Sequence, residues 1–572
     1  MPTSYTGRRN LIIFITFLLC IPALFTGFMG DDYLHYALLN AGLPITKPDD
    51  LSLFGLFSFI NGDPERNRLL MDYSLIPWWT YSDMKYAFWR PLSEIFHWLD
   101  YQLWPNSPWL MHLHNVAWYL VALALISTLY KRYLNVGATA LLALFLYALD
   151  SSHGFTVSWL SNRNALLALT FGLATLLLHI KWREEGQRYF LVGALIAQLL
   201  ALFSAELGIS VFGYIGAYAL FMDKKGAVKG VISALPYFVV IVAWWIIYKQ
   251  AGFGAAHAGA YYVDPATQPV AFVTAAIARL PVLLASQWGI IPADIYTLTP
   301  GDKQFYSIAC AVFLIVILVP ILALQRAQKS TWFWFCGMLF SMLPALAASP
   351  YDRLLLFPGI GAAALLAGFI YRLWQLKERP ANQLLKAYSL VVFGIMVLFH
   401  LILSPLLMPL MTYSTKFMAQ AVSDQPSYFS NVDNIAEKKL ILFSPPLASS
   451  LAIAGLRFYR HEPIPDRIWT ITTLKGDIQS TVNGNRLTLT RINGFIDDPT
   501  EESVRDLKKY PFTAGDKVSL SGLSIEVTQV SPEGKPLELS LEFDEPVSSD
   551  QYEFLRWNAE THQYEQMNLS TH

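Results

Sequence analysis

Residues 11–32 read LIIFITFLLCIPALFTGFMGDD, an apolar run that ends directly in the acidic pair Asp31 and Asp32. The run is long enough to cross the hydrocarbon core of a bilayer, which takes about twenty residues. Carboxylates at the end of such a run are costly unless they have a function. The pair therefore predicts an extracytoplasmic active site built on a membrane scaffold. Because no small-residue cleavage site follows Arg8 and Arg9, we expect the run to be a retained span.

The composition agrees with a membrane protein. The chain has 572 residues, of which 54% are hydrophobic and 15% charged, and its mean hydropathy is +0.38. These values predict a polytopic membrane protein that has the lipid bilayer as a partner. The net charge of -1 and the lack of a concentrated basic surface argue against a nucleic-acid partner.

About eleven apolar segments are long enough to span a membrane. They cover residues 11–29, 109–130, 134–149, 164–180, 189–203, 207–222, 231–248, 305–324, 331–348, 354–374 and 387–408. A further apolar run, 270–291, is interrupted by Arg279 and fits either an interfacial helix or part of another pair of spans. We therefore expect a membrane all-α fold, a polytopic bundle of about 11 transmembrane helices.

Basic residues occur in alternate loops, for example at Arg8-Arg9, Lys131-Arg132 and Lys224-Lys225. The positive-inside rule then predicts a cytoplasmic N-terminus and, with an odd number of spans, an extracytoplasmic C-terminal region. The chain has one clear N-glycosylation sequon, residues 568–570, which favours a bacterial inner (plasma) membrane over a eukaryotic secretory membrane.

The sequence predicts two domains. Residues 1–408 form the transmembrane domain, with a large first extracytoplasmic loop at 30–108. Residues 409–572 are more charged, and stretches such as 537–543 alternate apolar and polar residues as a half-buried strand does. The Asn483-Gly484 pair between two such stretches predicts a type I′ hairpin. We expect an extracytoplasmic β-rich, sandwich-like domain whose aromatic residues form either its core or sugar-stacking surfaces.

Ionisable and polar residues gather on the predicted outer side, and their order resembles that of one family, the GT-C glycosyltransferases. The resemblance is to the protein O-mannosyltransferase branch (glycosyltransferase family 39) and its relatives that carry tetratricopeptide repeats. It covers roughly the first four hundred residues. The matching residues are Asp31-Asp32, Phe88-Trp89-Arg90-Pro91-Leu92, His112, His114-Asn115, Ser158-Trp159-Leu160-Ser161-Asn162-Arg163, Ser204-Ala205-Glu206-Leu207-Gly208 and Tyr351-Asp352-Arg353-Leu354-Leu355-Leu356-Phe357-Pro358.

The chain also departs from this family. The helical repeats of some relatives are absent, and the β-rich domain stands in their place. Ala205 occupies a position where relatives often carry a lysine. The acceptor is therefore open, with a glycan, a lipid and a protein hydroxyl all remaining.

The resemblance implies an inverting transferase that moves a sugar from a polyprenyl-phosphate donor to an acceptor hydroxyl outside the cytoplasm. A carboxylate near the lipid boundary suits the general base that such a hydroxyl needs. Adjacent helical residues point about 100° apart, so Asp31 and Asp32 should have different roles. The family pattern favours Asp31 as the base, which leaves Asp32 to position groups or to bind a metal. Capping of a helix is the alternative for either residue.

The leaving lipid phosphate calls for fixed cations, and arginine suits phosphate well. The candidates are Arg90, Arg163, Arg353 and Lys85, with contact to lipid headgroups as the alternative function. Glu206 is a third candidate catalytic residue, which orients an arginine or touches the acceptor, or else forms a buried ion pair without a catalytic role.

His112, His114 and Asn115 are candidates for contacting or positioning the substrate. The two histidines lie about 200° apart on a helix and so do not form a helical metal pair. A divalent cation, Mg or Mn, held by an aspartate and the donor phosphate remains open.

Two other functions are consistent with parts of the sequence. A membrane transporter or flippase for a glycolipid would also use membrane carboxylates and histidines, but it should place polar groups near the midplane, on broken helices within repeats. Alternatively, the β-rich domain binds a glycan or a protein partner and the spans only anchor it. One span would suffice for that purpose.

Overall fold

The computed structural model describes residues 4–40, 43, 53–134, 136–258, 261–298, 301–375, 382–423, 429, 432–497, 501–567 and 569. The helices are α1 Tyr5–Cys20, α2 Asp31–Leu39, α3 Pro64–Asp72, α4 Pro91–Leu103, α5 Pro108–Tyr133, α6 Gly137–Ala148, α7 Gly154–Ser158, α8 Arg163–Glu185, α9 Arg188–Ser204, α10 Val211–Phe221, α11 Ala227–Gln250, α12 Pro269–Trp288, α13 Asp294–Leu298, α14 Lys303–Gln325, α15 Lys329–Ser341, α16 Leu356–Trp374, α17 Gln383–Val397, α18 Ser404–Ser423, α19 Leu447–Ser450 and α20 Ile453–Tyr459. The strands are β1 Ser58–Asn61, β2 Lys85–Ala87, β3 Gly254–Ala256, β4 Lys439–Phe443, β5 Arg467–Thr472, β6 Gln479–Asn483, β7 Arg486–Thr490, β8 Lys517–Leu520, β9 Leu523–Val530, β10 Pro536–Phe543, β11 Tyr552–Asn558 and β12 Gln563–Gln566.

The expected membrane fold is confirmed. Within the described residues, nine helices are long and apolar enough to cross a membrane, or up to ten if α6 and the bent segment after it count as one span. Two further predicted spans correspond to shorter apolar helices, α9 and α10. Helix α12, which the sequence left open, meets the criteria for a span. The chain is therefore an integral, multi-pass membrane protein.

The contacts divide the chain into two compact units. The helical unit contains residues 1–28, 89–251 and 265–416, and the β-rich unit contains residues 29–88, 252–264 and 417–572. The predicted domain boundary at residue 408 stays a prediction. The units group the chain differently from that boundary, because residues 29–88 pack with the C-terminal strands. Trp78 Nε1 donates to the Ile471 carbonyl at 2.9 Å, and the Ser521 backbone N–H donates to Asp72 Oδ1 at 2.9 Å.

Helix α16 lies at the centre of the helical unit. Glycines and alanines on α16 let neighbouring helices approach closely, which is how helices associate in lipid. A Cβ at Gly361 would collide with the Trp334 carbonyl. The hydroxyl of Tyr214 accepts from the Gly361 N–H at 2.8 Å and donates to the Phe357 carbonyl at 2.9 Å. The phenol of Tyr130 likewise donates to the Ile360 carbonyl at 2.7 Å. Tyrosines from neighbouring helices thus fix the position of α16.

The described residues of the β-rich unit form three sheets. A small antiparallel sheet has the order β1-β2-β3, and an antiparallel five-stranded sheet has the order β6-β7-β10-β9-β8. The third sheet has the order β12-β11-β4-β5, in which β4 pairs in parallel with both β11 and β5. The expected β-rich region is confirmed, and its inward-facing aliphatic side chains share one apolar core.

The predicted hairpin exists, but its turn type was wrong. Asn483 pairs with Arg486, so the two loop residues are Gly484 and Asn485. Gly484 has a φ of 64°, whereas Asn485 is not among the residues with positive φ. A type I′ turn needs positive φ at both central residues. A glycine at the first central position alone is the pattern of a type II′ turn.

Candidate functional site

The predicted site residues fall into both units. Asp31, Asp32 and Lys85 belong to the β-rich unit. The remaining predicted residues belong to the helical unit, and they are Arg90, Arg163, Glu206, Arg353, His112, His114 and Asn115.

The acidic pair begins helix α2, directly after Gly30, whose φ of 51° suits a glycine. Carboxylates in the first turn complement the positive end of the helix dipole. Asp32 is 1% exposed, and its Oδ2 accepts the Met29 backbone N–H at 3.0 Å. Asp31 is half-buried. The two carboxylates therefore differ: Asp32 fixes the start of α2, and Asp31 is the more accessible of the two.

Lys85 begins β2, the middle strand of the small sheet, and is half-buried. Its side chain passes close to Gly62, where a Cβ would lie 2.9 Å from Lys85 Cε. Gly62 has a φ of 83°. The aliphatic part of Lys85 therefore covers a turn, which restricts the positions that its ammonium group can reach.

Arg90 and Glu206 form an ion pair within the helical unit. Arg90 precedes Pro91 at the start of α4, and Glu206 begins a short 3-10 turn between α9 and α10. Arg90 Nε and Nη2 donate to Glu206 Oε2 at 3.0 and 2.8 Å, and the Tyr248 hydroxyl donates to Oε1 at 3.2 Å. The side chains of Arg90 and Glu206 are 16% and 27% exposed. Glu206 therefore orients a guanidinium that solvent can reach.

Arg163 is different, because its side chain is fully buried. Its Nη1 pairs with Asp100, a carboxylate on α4 that is 1% exposed, and its Nε donates to Asn115 Oδ1. Nη1 and Nη2 also donate to the carbonyls of Phe96 and Met111 at 3.3 and 3.1 Å. These contacts occupy all three guanidinium nitrogens. Arg163 therefore joins the start of α8 to α4 and α5.

His114 and Asn115 extend this network. Trp118 Nε1 can only donate, and it lies 3.0 Å from His114 Nε2, so Nε2 is the acceptor. His114 then carries its proton on Nδ1 and donates it to Asp100 Oδ1 at 2.8 Å. Asn115 Nδ2 donates to the Trp159 carbonyl at 3.1 Å. His114 and Asn115 therefore help to hold Asp100 and Arg163 in place.

His112 faces the segment that follows α1. Its Nε2 lies 2.9 Å from the Gly27 carbonyl and 3.1 Å from the Thr26 hydroxyl. A carbonyl can only accept, so Nε2 carries the proton. His112 thus ties α5 to the end of the first predicted span.

Arg353 lies in a 3-10 turn before α16, and its guanidinium stacks on aromatic rings. The centroids of Tyr351 and Trp159 are 4.8 and 5.5 Å from its Cζ. Arg353 is half-buried. Stacking on the two rings holds the plane of the guanidinium.

The sequence missed a pair of half-buried acids beside Arg353. The backbone N–H of Asp352 donates to Asp294 Oδ2 at 3.0 Å, while Asp352 Oδ1 accepts from the Ser286 hydroxyl at 2.6 Å and from the Ala293 N–H at 2.8 Å. Burial raises the pKa of Asp352 to about 7, and the neighbouring Asp294 adds to the rise. Burial also raises the pKa of Asp294. Asp352 was part of a quoted motif, but only the fold brings Asp294 to it.

Asp100 and Tyr248 were also missed, because their positions in the sequence gave no signal of their partners. As for a metal, the described part of the chain has no group of three or more His, Cys, Asp or Glu side chains that could hold one.

Comparison with known proteins gives only remote similarity. No protein-family model matches the chain, and no curated protein sequence matches it. Among solved structures, it is similar to an Archaeoglobus fulgidus oligosaccharyltransferase tethered to an acceptor peptide, at 11% identity and a TM-score of 0.42, over 80% of this chain and 63% of that one. It is also similar to the archaeal oligosaccharyltransferase AglB from the same organism in complex with an inhibitory peptide and a dolichol-phosphate. The identity is 11% and the TM-score 0.41, over 80% of this chain and 64% of that one.

A third similar structure is ArnT from Cupriavidus metallidurans in the apo state, at 13% identity and a TM-score of 0.35, over 80% of this chain and 85% of that one. The chain spans less than two thirds of the length of the two oligosaccharyltransferase structures. Similarity of this extent does not identify an activity.

Proposed function

We propose that the protein is an inverting GT-C glycosyltransferase that moves a sugar from a polyprenyl-phosphate donor to an acceptor hydroxyl on the extracytoplasmic side of the membrane. The main support is the Arg90–Glu206–Tyr248 arrangement. The Glu206 carboxylate, itself fixed by a hydrogen bond from the Tyr248 phenol, holds one guanidinium in a solvent-accessible position in a bundle of apolar helices. A charged lipid phosphate that stays in the bilayer needs such a partner.

In this mechanism the acceptor oxygen attacks the anomeric carbon while the bond from that carbon to the phosphate oxygen breaks. Asp31 takes the acceptor proton, and the lipid phosphate leaves with the bonding electrons and its negative charge. Arg90 stabilises that charge, and Arg353 is a second candidate for it. Asp32, which fixes the start of α2, positions Asp31.

The burial of Arg163 supports a different role from the phosphate binding predicted from sequence. All three of its guanidinium nitrogens have protein partners. We assign it, with His114 and Asn115, to positioning the loop after α7. His112 positions the segment before α2, and Lys85 remains a candidate for the donor phosphate. A divalent cation is not required by these roles.

The test is single-turnover transfer from labelled polyprenyl-phosphate sugars, with purified protein in liposomes and a membrane extract as acceptor. Asp31→Asn should abolish transfer, because an amide cannot take the proton. Asp32→Asn should reduce it less, because the amide oxygen can still accept the Met29 N–H. Asp83→Asn, an exposed carboxylate of the same unit, is the control. Undiminished transfer by Asp31→Asn, with normal protein levels, would exclude Asp31 as the base.

A glycolipid transporter or flippase is the second candidate, and one observation favours it. The helix pair Gly137–Ala148 and Ser151–Ser158 bends by 43°, and Asp150 lies at the break. Asp150 Oδ2 accepts from the buried Gln287 side chain at 2.9 Å. Transporters often have such broken helices. Movement of a fluorescent polyprenyl-phosphate sugar between leaflets, lost in Asp150→Asn without any release of polyprenyl phosphate, would favour this function over the transferase.

The location stays a proposal as well. A bacterial inner membrane, with the N-terminus in the cytoplasm and residues 409–572 outside, is consistent with the loop charges. Labelling of introduced cysteines with a membrane-impermeant reagent in intact cells tests the orientation.

A further inference from the structure

The β-rich unit contains a cavity of about 470 Å³ that the proposed transfer does not use. Helix α3 and the turn before β2 form one side, and the segment that leads into β8 forms the other. Its chemistry depends on Asn67, Arg68, Tyr81, Arg505 and Phe512. A volume of this size suits a small ligand such as one or two sugar rings.

Arg505 is the fixed cation of this cavity. Its guanidinium carbon lies 3.5 Å from the ring centroid of Phe512 and 5.8 Å from that of Tyr81, and its Nε donates to the Tyr510 carbonyl at 2.8 Å. These contacts set the plane of the guanidinium. Within the part of the chain that the structure describes, no side chain or carbonyl accepts a hydrogen bond from Nη1 or Nη2. The two nitrogens form the fork that binds a carboxylate with two parallel hydrogen bonds.

The charge of Arg505 persists despite its burial. Burial lowers the pKa of Arg505 to about 10, so the side chain stays protonated at neutral pH. The nearest acid, Asp516, accepts from the Thr513 N–H at 2.8 Å and from the Thr513 hydroxyl at 2.9 Å. Asp516 therefore has other hydrogen-bond partners and does not occupy the fork.

Asn67 supplies an acceptor in the same cavity. It is fully buried, and its Nδ2 donates to the carbonyls of Ser82 and Met84 at 2.7 and 3.2 Å. Among the described residues, none donates a hydrogen bond to its Oδ1. A buried acceptor without a donor costs about 1–3 kcal/mol, so such a group usually has a partner. A ligand hydroxyl can be that partner.

The charges around the cavity favour an anion. Arg68 is exposed at its rim, and Lys517 lines it while pairing with Glu526 at 3.1 Å. Glu65 and Asp516 are the acids of the lining, against three cations. The oxygens of a neutral ligand could accept hydrogen bonds from Arg505, but only an anion would also balance its charge.

We propose that this cavity binds an acidic saccharide, with a carboxylate of the sugar on the fork of Arg505 and a hydroxyl donating to Asn67 Oδ1. The binding itself is independent of catalysis. The further step, that this saccharide is part of the acceptor, rests on the proposed function. With that function, the acceptor is a glycan that carries uronic acid units.

The test is a ligand-observed NMR titration of the full-length protein in detergent with D-glucuronate, D-glucose and inorganic phosphate. Wild-type protein should bind glucuronate saturably and at least about tenfold more tightly than glucose or phosphate, because only glucuronate offers both groups. Arg505→Gln should weaken glucuronate binding at least about tenfold, and Arg505→Lys should recover only part of it, because lysine lacks the fork.

Two further variants keep the test decisive. Arg68→Gln changes an exposed residue at the rim of the cavity, and it should weaken binding a few-fold through charge alone. Arg486→Gln, an exposed arginine on β7, should leave binding unchanged. Equal affinity for phosphate would mean a simple anion site, and equal affinity for glucose would mean that the carboxylate is not recognised; either result overturns the proposal. Absence of glucuronate binding by the folded wild-type protein also overturns the proposal. If the same preparation still transfers sugar, the proposed function stands although the saccharide site is refuted.

Discussion

Two arginines of the helical unit should respond in opposite ways to the same substitution. Arg163→Met removes a fully buried cation and leaves Asp100, at 1% exposure, without its counter-charge. Breaking a buried ion pair by removing one partner costs about 3–5 kcal/mol. The Phe96 and Met111 carbonyls also lose their donor. Whole proteins are stable by only about 5–15 kcal/mol, so this loss should be visible as early unfolding.

Arg90→Met also removes an arginine charge, but from a side chain that is partly exposed to solvent. The Arg90–Glu206 pair is partly exposed, at 16% and 27%, so solvent screens it. Such pairs contribute about 0–1 kcal/mol. We expect Arg90→Met to unfold within about 1 kcal/mol of wild type and yet to lose sugar transfer.

The assay is denaturant unfolding of purified protein in detergent, followed by tryptophan fluorescence, with single-turnover transfer measured on the folded fraction. The double variant Asp100→Leu with Arg163→Met should recover at least about 2 kcal/mol of the loss, because replacing both partners by apolar residues avoids a lone buried charge. Wild-type stability in Arg163→Met, or equal destabilisation by both arginine variants, would refute the separate roles given to them.

Other predictions concern the acid pair and helix packing. Because the folded-state pKa of Asp352 lies above its value in the unfolded chain, about 3.9, the wild type should lose stability as the pH rises from about 4 through 7. In Asp352→Asn this pH-dependent loss of stability should be smaller than in the wild type. Melting curves of both proteins at about pH 5 and about pH 8 measure the loss, and equal losses would contradict the raised pKa of Asp352. Gly213→Ala should destabilise the protein by about 1–3 kcal/mol, since the new Cβ would lie 2.5 Å from the Ser341 backbone nitrogen. Gly216→Ala on the same helix meets nothing within 4 Å and should be neutral or slightly stabilising, so similar melting temperatures for the two variants would contradict the packing.

Much of the fold follows from local sequence. Apolar runs of about twenty residues have few alternatives to a spanning helix, because a bilayer leaves no partner for unpaired backbone groups. Alternation likewise located β10. The parallel strands β4 and β5 were missed, because both are buried on two faces and show no alternation. A short apolar run of this kind does not differ from a piece of buried helix.

The association of the first long loop with the C-terminal strands had no signal in the sequence either. The contacts of Trp78 with Ile471 and of Asp72 with Ser521 join distant parts of the chain. Contacts between residues so far apart in sequence depend on the topology of the fold, and the periodicity of apolar residues does not indicate that topology. The type II′ turn at Gly484 is a smaller example, since a shift of one residue in register changes which residues form the loop.

Site residues were predictable by type but not by partner. The lone position of Glu206 between apolar runs left three roles open, and the structure shows that its carboxylate holds Arg90. Nothing in the sequence indicated that Arg163 would be more buried than Arg90. Arg90 directly precedes a helix and Arg163 begins one, so their local sequences are alike in this respect. The difference comes from Asp100, which reaches Arg163 only once α4 and α8 are packed.

The release of lipid phosphate tests the central claim most directly. Purified protein in liposomes would receive a labelled polyprenyl-phosphate sugar and an acceptor extract, and the free polyprenyl phosphate and the anomeric configuration of the product would be measured together. An inverting transferase predicts one polyprenyl phosphate released for each sugar transferred, and a product whose anomeric configuration is opposite to that of the donor. A donor that stays intact while it changes leaflet, or a product with retained configuration, would contradict the account.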